Sequence, residues 1–249
     1  MKNIIKEIDS KKAELDRYRP LPKDLVQNLD EWFNIEIAYN SNAIEGNTLT
    51  KQETALVIKK GLTVGGKSVK EHLEAINHSF ALDFVKDLAS KKTSDIQLAD
   101  ILDIQRLILK GIDDSNAGRL RKIQVMIAGS DYELPSPIKV PDLMEEFIDW
   151  LQNNEDHPVK IAADAHFKLV AIHPFVDGNG RTARLLMNLI LIQHGYPVTI
   201  IKKEDRREYI SSIEQAEQTD DLSEFYDVVL EAILRSFDIY LKAVKSSIL

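Results

Sequence analysis

Apolar residues recur at steps of three or four along most of the chain, which is the spacing of positions on one face of an α-helix. The segment PKDLVQNLDEWFNIEIAYNSNAIEG begins with a proline suited to a first helical turn and ends at a glycine suited to a helix end. We therefore predict a helix over about residues 22–46. Comparable patterns predict helices in the segments TLTKQETALVIKKG, SVKEHLEAINHSFALDFVKDLAS, SDIQLADILDIQRLILKG, PDLMEEFIDWLQN, PVKIAADAHFKLVAI, RTARLLMNLILIQHG and LSEFYDVVLEAILRSFDIYLKAVKSSI.

Local signals mark where several of these helices begin and end. Thr50 with Glu53, and Ser68 with Glu71, have the spacing of capping boxes, in which side chains and backbone N–H groups bond reciprocally. Gly61 follows the first of the two segments and is suited to end it. Helix boundaries can thus be predicted in addition to helix content.

Only one stretch has the composition of β-strands. IQVMIAGSDYELPSP, residues 123–137, combines β-branched residues, a Gly-Ser-Asp turn and closing prolines, which is typical of a hairpin. We see no internal repeat, low-complexity tract or long Gly/Ser linker. The sequence therefore predicts an all-α helical bundle with one small β-hairpin on its side.

Composition and charge narrow the classes of partner. A chain of 249 residues with 44% hydrophobic content can bury one sizeable core. The apolar run Leu185 to Ile192 is shorter than the roughly 18 to 20 residues that a bilayer requires. The charged start, MKNIIKEIDSKK, lacks the apolar stretch of a secretion signal, and cysteine is absent. We therefore expect a cytoplasmic protein with no membrane partner.

The net charge of −8 argues against a nucleic acid as the direct partner, because binding to a phosphate backbone depends on clustered Lys and Arg. A local basic pocket for a small phosphate compound is still compatible with this charge.

The segment HPFVDGNGRTAR, residues 173–184, concentrates the chemistry of the chain. It falls between two predicted helices, so VDGNG must form the N-terminus of the second one. Gly178 and Gly180 allow backbone conformations that turn successive N–H groups inward at a helix start, where the dipole favours an anion. Arg181 and Arg184 lie on one face of the first turn and add two planar cations. This arrangement predicts a cradle for phosphate.

Asp177 and His173 complete the predicted site. A carboxylate beside a phosphate requires a divalent cation between them, and one carboxylate plus substrate oxygens is a common way to hold Mg²⁺. The histidine, with an ordinary pKa of about 6.5, is suited to act as a base. Taken singly, these features are commoner in tight turns, structural histidines and surface ion pairs. Their coincidence within twelve residues favours phosphoryl or nucleotidyl transfer.

The same twelve residues resemble the signature of the Fic family of AMP-transferring enzymes, His-x-Phe-x-Asp/Glu-Gly-Asn-Gly-Arg-x-x-Arg, at every fixed position. The resemblance implies a Fic-type helical bundle that moves AMP from ATP to a Ser, Thr or Tyr hydroxyl of a target protein and releases pyrophosphate. The resemblance implies that His173 is the base, that Asp177 binds Mg²⁺ and that Phe175 anchors the loop. It implies that Asn179 and the backbone of Gly178 and Gly180 bind phosphate oxygens. Arg181 and Arg184 would bind the outer phosphates.

A second segment, SNAIEGN, resembles the inhibitory motif of the same family, Ser/Thr-x-x-x-Glu-Gly/Asn. Ser41 and Glu45 share a helix face at this spacing, and Gly46 follows them. The resemblance implies that Glu45 pairs with Arg184 and occupies the place of the γ-phosphate. A solvent-exposed Glu before a helix-ending glycine is the alternative interpretation of this motif taken alone.

The resemblance also sets our expectation for the domain organisation. We expect residues 1–60 to form N-terminal helices that include the inhibitory helix at about 22–46. Residues 61–249 are then the Fic catalytic core with its C-terminal helices, and the two parts pack as a single globular unit.

In this family a hairpin called the flap lies beside the active site and holds a target segment by main-chain pairing. Residues 125–135 are the candidate flap segment, with docking positions at Val125, Met126, Ile127 and Ala128. Arg206, Arg207 and Tyr209 are further candidates for the nucleotide pocket, although a solvated helix face also explains them. A metal site at His166 and His173 is not expected, because further ligands at suitable spacing are lacking.

Three alternatives remain open at this level. The scaffold could remove AMP from a modified protein, it could transfer from a different nucleotide, or it could be a catalytically idle regulatory module. The identity of the target, the modified residue, the signal that releases inhibition and the oligomeric state cannot be predicted from these residues. Self-modification and a homodimer are both compatible with them.

Overall fold

The computed structural model describes residues 2–127 and 132–248, except for the side chain of residue 248. In this part of the chain the regular structure is helical throughout, which confirms the predicted all-α class. The α-helices are α1 (Lys2–Asp16), α2 (Lys23–Ile44), α3 (Lys51–Lys60), α4 (Val69–Leu88), α5 (Leu98–Leu109), α6 (Val140–Asn153), α7 (Pro158–Ile172), α8 (Asn179–Gln193), α9 (Arg206–Thr219) and α10 (Ser223–Ile248). Short 3-10 turns lie at Thr93–Asp95 and Lys203–Asp205.

Helix α8 lies at the centre of the bundle. Every residue from 181 to 191 is buried, including the two arginines of its first turn. Helices α4, α5 and α7 pack around it, while α2 packs against α4 and contacts α8. Helix α10 packs against α1 and α9 on the other side of the molecule. The most polar end of a central helix is therefore enclosed by the rest of the bundle.

The helix boundaries follow the signals in the sequence. Thr50 and Glu53 form the predicted capping box at the start of α3, and Gly61 ends that helix in the left-handed conformation. Ser68 and Glu71 form the second capping box, before α4. Two helices, α1 and α9, were not among the predicted helical segments. Both sequences are rich in charged residues, and α1 buries only Ile8 and Leu15 completely.

The predicted β-hairpin is wrong for the residues that the structure describes. Residues 123–127 and 132–135 carry no strand, and Ala128, one of the four docking positions, lies outside the described residues. The two arms are joined by side chains instead. Arg121 donates to the carbonyls of Ile123 and Pro135, and the Gln124 amide donates to the Leu134 carbonyl. Carbonyls that a β-ladder would use are bonded to these side chains.

Among the described residues, none of the helices combines the length and the apolar character that a bilayer crossing requires.

Candidate active site

His173 lies at the junction between α7 and the loop of residues 173–178, which we call the signature loop. It ends α7 in the left-handed conformation, with φ of 49° and ψ of 58°. Arg121, a buried side chain, donates from Nε to the His173 carbonyl at 2.7 Å, and its backbone N–H donates to the Pro174 carbonyl at 2.8 Å. Phe175 is fully buried. The strained turn at His173 is thus held from both sides.

Burial lowers the pKa of His173 to about 4, while the Val170 carbonyl and the carboxylates of Glu45 and Asp177 oppose the shift. The imidazole is therefore neutral at pH 7 and free to accept a proton. Its Nδ1 atom is buried, whereas the residue as a whole is only half-buried, so Nε2 is the nitrogen available to a ligand.

Asn179 organises the signature loop from inside. Its side-chain Oδ1 accepts from the Phe175 N–H, and its Nδ2 donates to the Phe175 carbonyl, both at 2.9 Å. The Gln105 amide donates to the Asp177 carbonyl at 3.0 Å, and Gly178 turns the chain into α8 with φ of 85°. Because the Asn179 amide is used within the loop, only its backbone N–H is available to a phosphate oxygen.

The start of α8 offers an anion site. Within the described chain, the backbone N–H groups of Asn179, Gly180 and Arg181 have no hydrogen-bond partner, and the helix dipole adds positive potential there. A Cβ atom on Gly180 would lie 2.5 Å from Glu45 Oε1, so the Glu45 carboxylate sits directly against this backbone. An anionic group thus already occupies the space beside the helix start.

Arg184 holds that carboxylate. Its Nη2 donates to Glu45 Oε1 at 2.7 Å and to the Ser41 carbonyl at 2.9 Å, and its Nε donates to Ser41 Oγ at 2.9 Å. Nη1 donates to the Tyr209 hydroxyl at 3.2 Å. The predicted pairing of Glu45 with Arg184 is therefore present as a contact, with Ser41 as a second partner from the same helix end.

The end of α2 is fixed by further contacts. Gly46 follows Glu45 with φ of 98°, and Arg206 donates from Nε to the Ile44 carbonyl at 2.7 Å. Arg206 thus contacts the helix end that carries Glu45. Arg207 is exposed and does not line the cavity described below.

Arg181 has different partners. It donates from Nη2 to Asp177 Oδ1 at 3.0 Å and from Nη1 to Glu74 Oε1 at 3.3 Å. Glu74 is itself buried in α4 and accepts from the Asn47 amide at 2.9 Å. Asp177 Oδ1 also accepts from the Gly178 N–H at 2.6 Å, and the Asp177 side chain is 46% exposed.

These residues border a cavity of about 130 Å³. His173, Gly180, Arg184 and Glu45 line one end, and Ile127 of the flap segment lies beside them. The walls along α9 are Tyr209, Ile210, Ile213, Glu214 and Glu217. Tyr209 is buried, and its hydroxyl lies 2.8 Å from Nε2 of His166, which is itself fully buried. The cavity is thus charged at the arginine end, apolar along Ile210 and Ile213, and lined by the carboxyl groups of Glu214 and Glu217 farther along α9.

Sequence reasoning identified the signature loop but not its supports. Arg121 and Gln105 bond to the loop from 52 and 72 residues away in the chain. Glu74 accepts from Arg181, in the first turn of α8, from 107 residues away. Isolated polar residues in helices and turns give no local signal of such contacts.

Comparison with known proteins agrees with the signature. Residues 95–191 match the Fic/DOC family. A protein adenylyltransferase Fic from Nematostella vectensis is 41% identical over 206 residues, which cover 82% of this chain and 48% of that protein. The solved structure of Fic-1 from C. elegans superposes with a TM-score of 0.90 at 34% identity, over 99% of this chain and 73% of that one.

A Fic domain containing signaling protein from Bacteroides thetaiotaomicron superposes with a TM-score of 0.86 at 30% identity, over 98% of this chain and 97% of its own. The helical bundle is thus a shared architecture, and the chain belongs to the Fic/DOC family. The chain spans about half the length of the curated relatives it matches.

Proposed function

We propose that this chain transfers AMP from ATP to a hydroxyl side chain of a target protein, and that Glu45 restrains this activity. The observation that carries the proposal is the Glu45 carboxylate at the unpartnered start of α8, held by Arg184 beside a neutral His173. Curated relatives at 36% to 41% identity are named protein adenylyltransferases, which supports the same reaction.

The reaction assigns one role to each group. The hydroxyl oxygen of the target attacks the α-phosphorus of ATP, the bond to the bridging oxygen breaks, and pyrophosphate leaves. His173 accepts the hydroxyl proton on Nε2. Burial keeps the imidazole neutral before the reaction, and the Asp177 carboxylate favours the proton that it gains. The free N–H groups of residues 179–181 and the guanidinium of Arg184 hold the phosphate oxygens in fixed positions.

Asp177 fits the family's implied Mg²⁺. The described residues contain no cluster of three or more His, Asp, Glu or Cys side chains, so an all-protein metal cage is not formed. The Asp177 side chain is 46% exposed beside the anion site, and Arg181 and Gly178 bond only to its Oδ1. Its Oδ2 therefore suits a cation that completes its shell with phosphate oxygens and water. When bound, Mg²⁺ would neutralise charge on the phosphates.

Glu45 opposes binding of the outer phosphate because it already bonds to Arg184, the cation that would hold that phosphate. A carboxylate at 2.7 Å from Arg184 satisfies the guanidinium and places a negative charge where a phosphate would have to enter. Ser41 adds two further bonds to the same guanidinium. Removal of the carboxylate should free Arg184 for ATP.

The flap segment is suited to receive a target. Ile127 lines the cavity near His173, while Met126 is 93% exposed and the preceding Ile123 is 60% exposed. Exposed apolar side chains next to the reactive end offer a surface for an extended segment of a target, or of another copy of this chain in self-modification.

The proposal is tested by incubating wild type, Glu45→Gly and Glu45→Gly/His173→Ala with Mg²⁺, ATP and cell lysate, followed by intact and peptide mass spectrometry. We expect a gain of one AMP with Glu45→Gly and its loss with the double variant. Glu31→Gly is the matched control, because it makes the same change at an exposed position of α2.

Equal activity of wild type and Glu45→Gly would contradict the inhibitory role of Glu45. Absence of transfer by every variant would contradict the direction of the reaction or its donor. The same panel with an AMP-modified protein as substrate then measures AMP removal.

A further inference from the structure

The cavity beside His173 has a second polar end that the proposed reaction does not use. Ile210, Ile213, Glu214 and Glu217 face it from α9 at helical spacing, and Tyr209 marks the end that bonds to Arg184. Glu217 follows Tyr209 by eight positions, which corresponds to about 12 Å along a helix. That separation is comparable to the distance between the phosphate and the base edge of a nucleotide.

Glu217 is an unusual residue to find in such a wall. Its Oε1 atom is buried and has no hydrogen-bond partner in the part of the chain that the structure describes. Glu217 as a whole is half-buried, and an unpartnered buried carboxylate oxygen is costly, which favours a proton on the group or a partner that enters the cavity. Burial, followed by the charge of Glu214, raises the pKa of Glu217 to about 7.

The groups that face Glu217 come from several elements. Glu214 lies on the same helix as Glu217. Tyr132 of the flap segment lies near enough that the charge of Glu217, after burial, contributes to raising the pKa of its phenol. His173, Arg184 and Glu45 line the opposite end of the cavity, where the two charged groups are paired with each other. Among the described lining residues, Arg184 is thus the one permanent cation, and it is already paired with Glu45.

The chemistry of a carboxyl group distinguishes the two purines. The Watson–Crick edge of adenine offers an amino donor beside a ring-nitrogen acceptor, and a protonated carboxyl group has one acceptor and one donor to match them. The edge of guanine offers two adjacent donors, which match the two acceptors of an ionised carboxylate. The apolar walls of Ile210 and Ile213 suit a base in the same space.

We infer that Glu217 reads the edge of the nucleotide base in this cavity, selecting adenine when the carboxyl group is protonated and guanine when it is ionised. The inference rests on the proposed nucleotide function and adds a residue that sets the choice of base. The preference for ATP over GTP should therefore decline as the pH rises through the titration of Glu217.

The test measures the dissociation constants of ATP and GTP, each with Mg²⁺, for full-length Glu45→Gly. The two conditions are about pH 6 and about pH 8, which lie below and above the pKa of Glu217. The ratio of the two constants cancels the titration of the phosphates, which both nucleotides share. We expect the preference for ATP to fall about tenfold or more between the two conditions, as for the loss of a paired base contact.

Glu217→Gln supplies the decisive comparison. A glutamine amide has one donor and one acceptor at every pH, so this variant should keep the preference for ATP at both conditions. Glu208→Gln is the matched control, because Glu208 is an exposed carboxylate of the same helix outside the cavity, and it should behave like the parent.

A ratio that does not change with pH in the parent, or that changes equally in Glu217→Gln, would overturn the inference while leaving nucleotide binding intact. Failure of both nucleotides to bind to any variant would overturn the proposed function together with it.

Discussion

Arg181 and Arg184 stand one turn apart at the start of α8, and both side chains are only 3% exposed, yet they are held in different ways. The partners of Arg181 are Asp177 of the signature loop and Glu74, a buried residue of α4. The partners of Arg184 are Ser41 and Glu45 at the end of α2 and Tyr209 of α9.

The difference lies in the surroundings of the acidic partners. The Glu74 side chain is 10% exposed and also accepts from Asn47, whereas the Glu45 side chain is 38% exposed and follows the last residue of α2. Arg181 is therefore part of an enclosed polar network, while one acidic partner of Arg184 is partly exposed to solvent. We propose that an anionic ligand can replace this partner of Arg184, whereas the buried partner of Arg181 stays in place.

At neutral pH, the largest expected effect on stability comes from neutralising the acidic partner of Arg181 rather than that of Arg184. Glu74→Gln leaves the buried Arg181 without its enclosed counter-charge, so we expect the free energy of unfolding to fall by about 2 kcal/mol. Glu45→Gln should lower it by about 1 kcal/mol or less, since water screens that pair and Arg184 keeps Ser41 and Tyr209. Urea denaturation of both variants measures the difference, and equal losses would contradict the comparison.

An effect that appears only at acid pH concerns His78, which is fully buried and lies near enough to both arginines for their charges to act on it. Burial, with added repulsion from Arg184 and Arg181, lowers the pKa of His78 to about 3. The unfolded chain therefore binds the proton more readily, so the stability is complete above an ordinary pKa of about 6.5 and is lost as the pH falls toward 3.

Each such histidine contributes a slope of up to about 1.4 kcal/mol per pH unit in this window. His78→Leu should remove its share of the slope, which denaturation at several pH values between about 4 and 7 would measure. His166, with a pKa also lowered to about 3 by burial first and then by Arg184, retains its own share in the same variant. An unchanged slope would show that His78 is not held neutral.

The helical bundle and the signature loop could be predicted because their signals are local. The capping boxes at Thr50 and Ser68 and the glycines of the loop act through residues a few positions away. The pairing of Glu45 with Arg184 could also be anticipated, although they lie 139 residues apart, because both belong to recognisable motifs.

The remaining parts depend on contacts without a local signal. Arg121 binds carbonyls on both arms of the predicted hairpin, so β-branched composition alone did not decide the structure of the described residues there. Glu74 and Glu217 look like ordinary helix-surface carboxylates in sequence, and only packing reveals that one holds Arg181 and the other faces a cavity.

The central claim is that Glu45 competes with ATP for Arg184, and the most direct test is the affinity of each variant for ATP with Mg²⁺, measured by calorimetry. We predict that Glu45→Gly binds ATP about ten to a hundred times more tightly than wild type, as expected for loss of one competing charge-assisted bond. Glu31→Gly should bind like wild type. Equal affinities of Glu45→Gly and wild type would contradict the account.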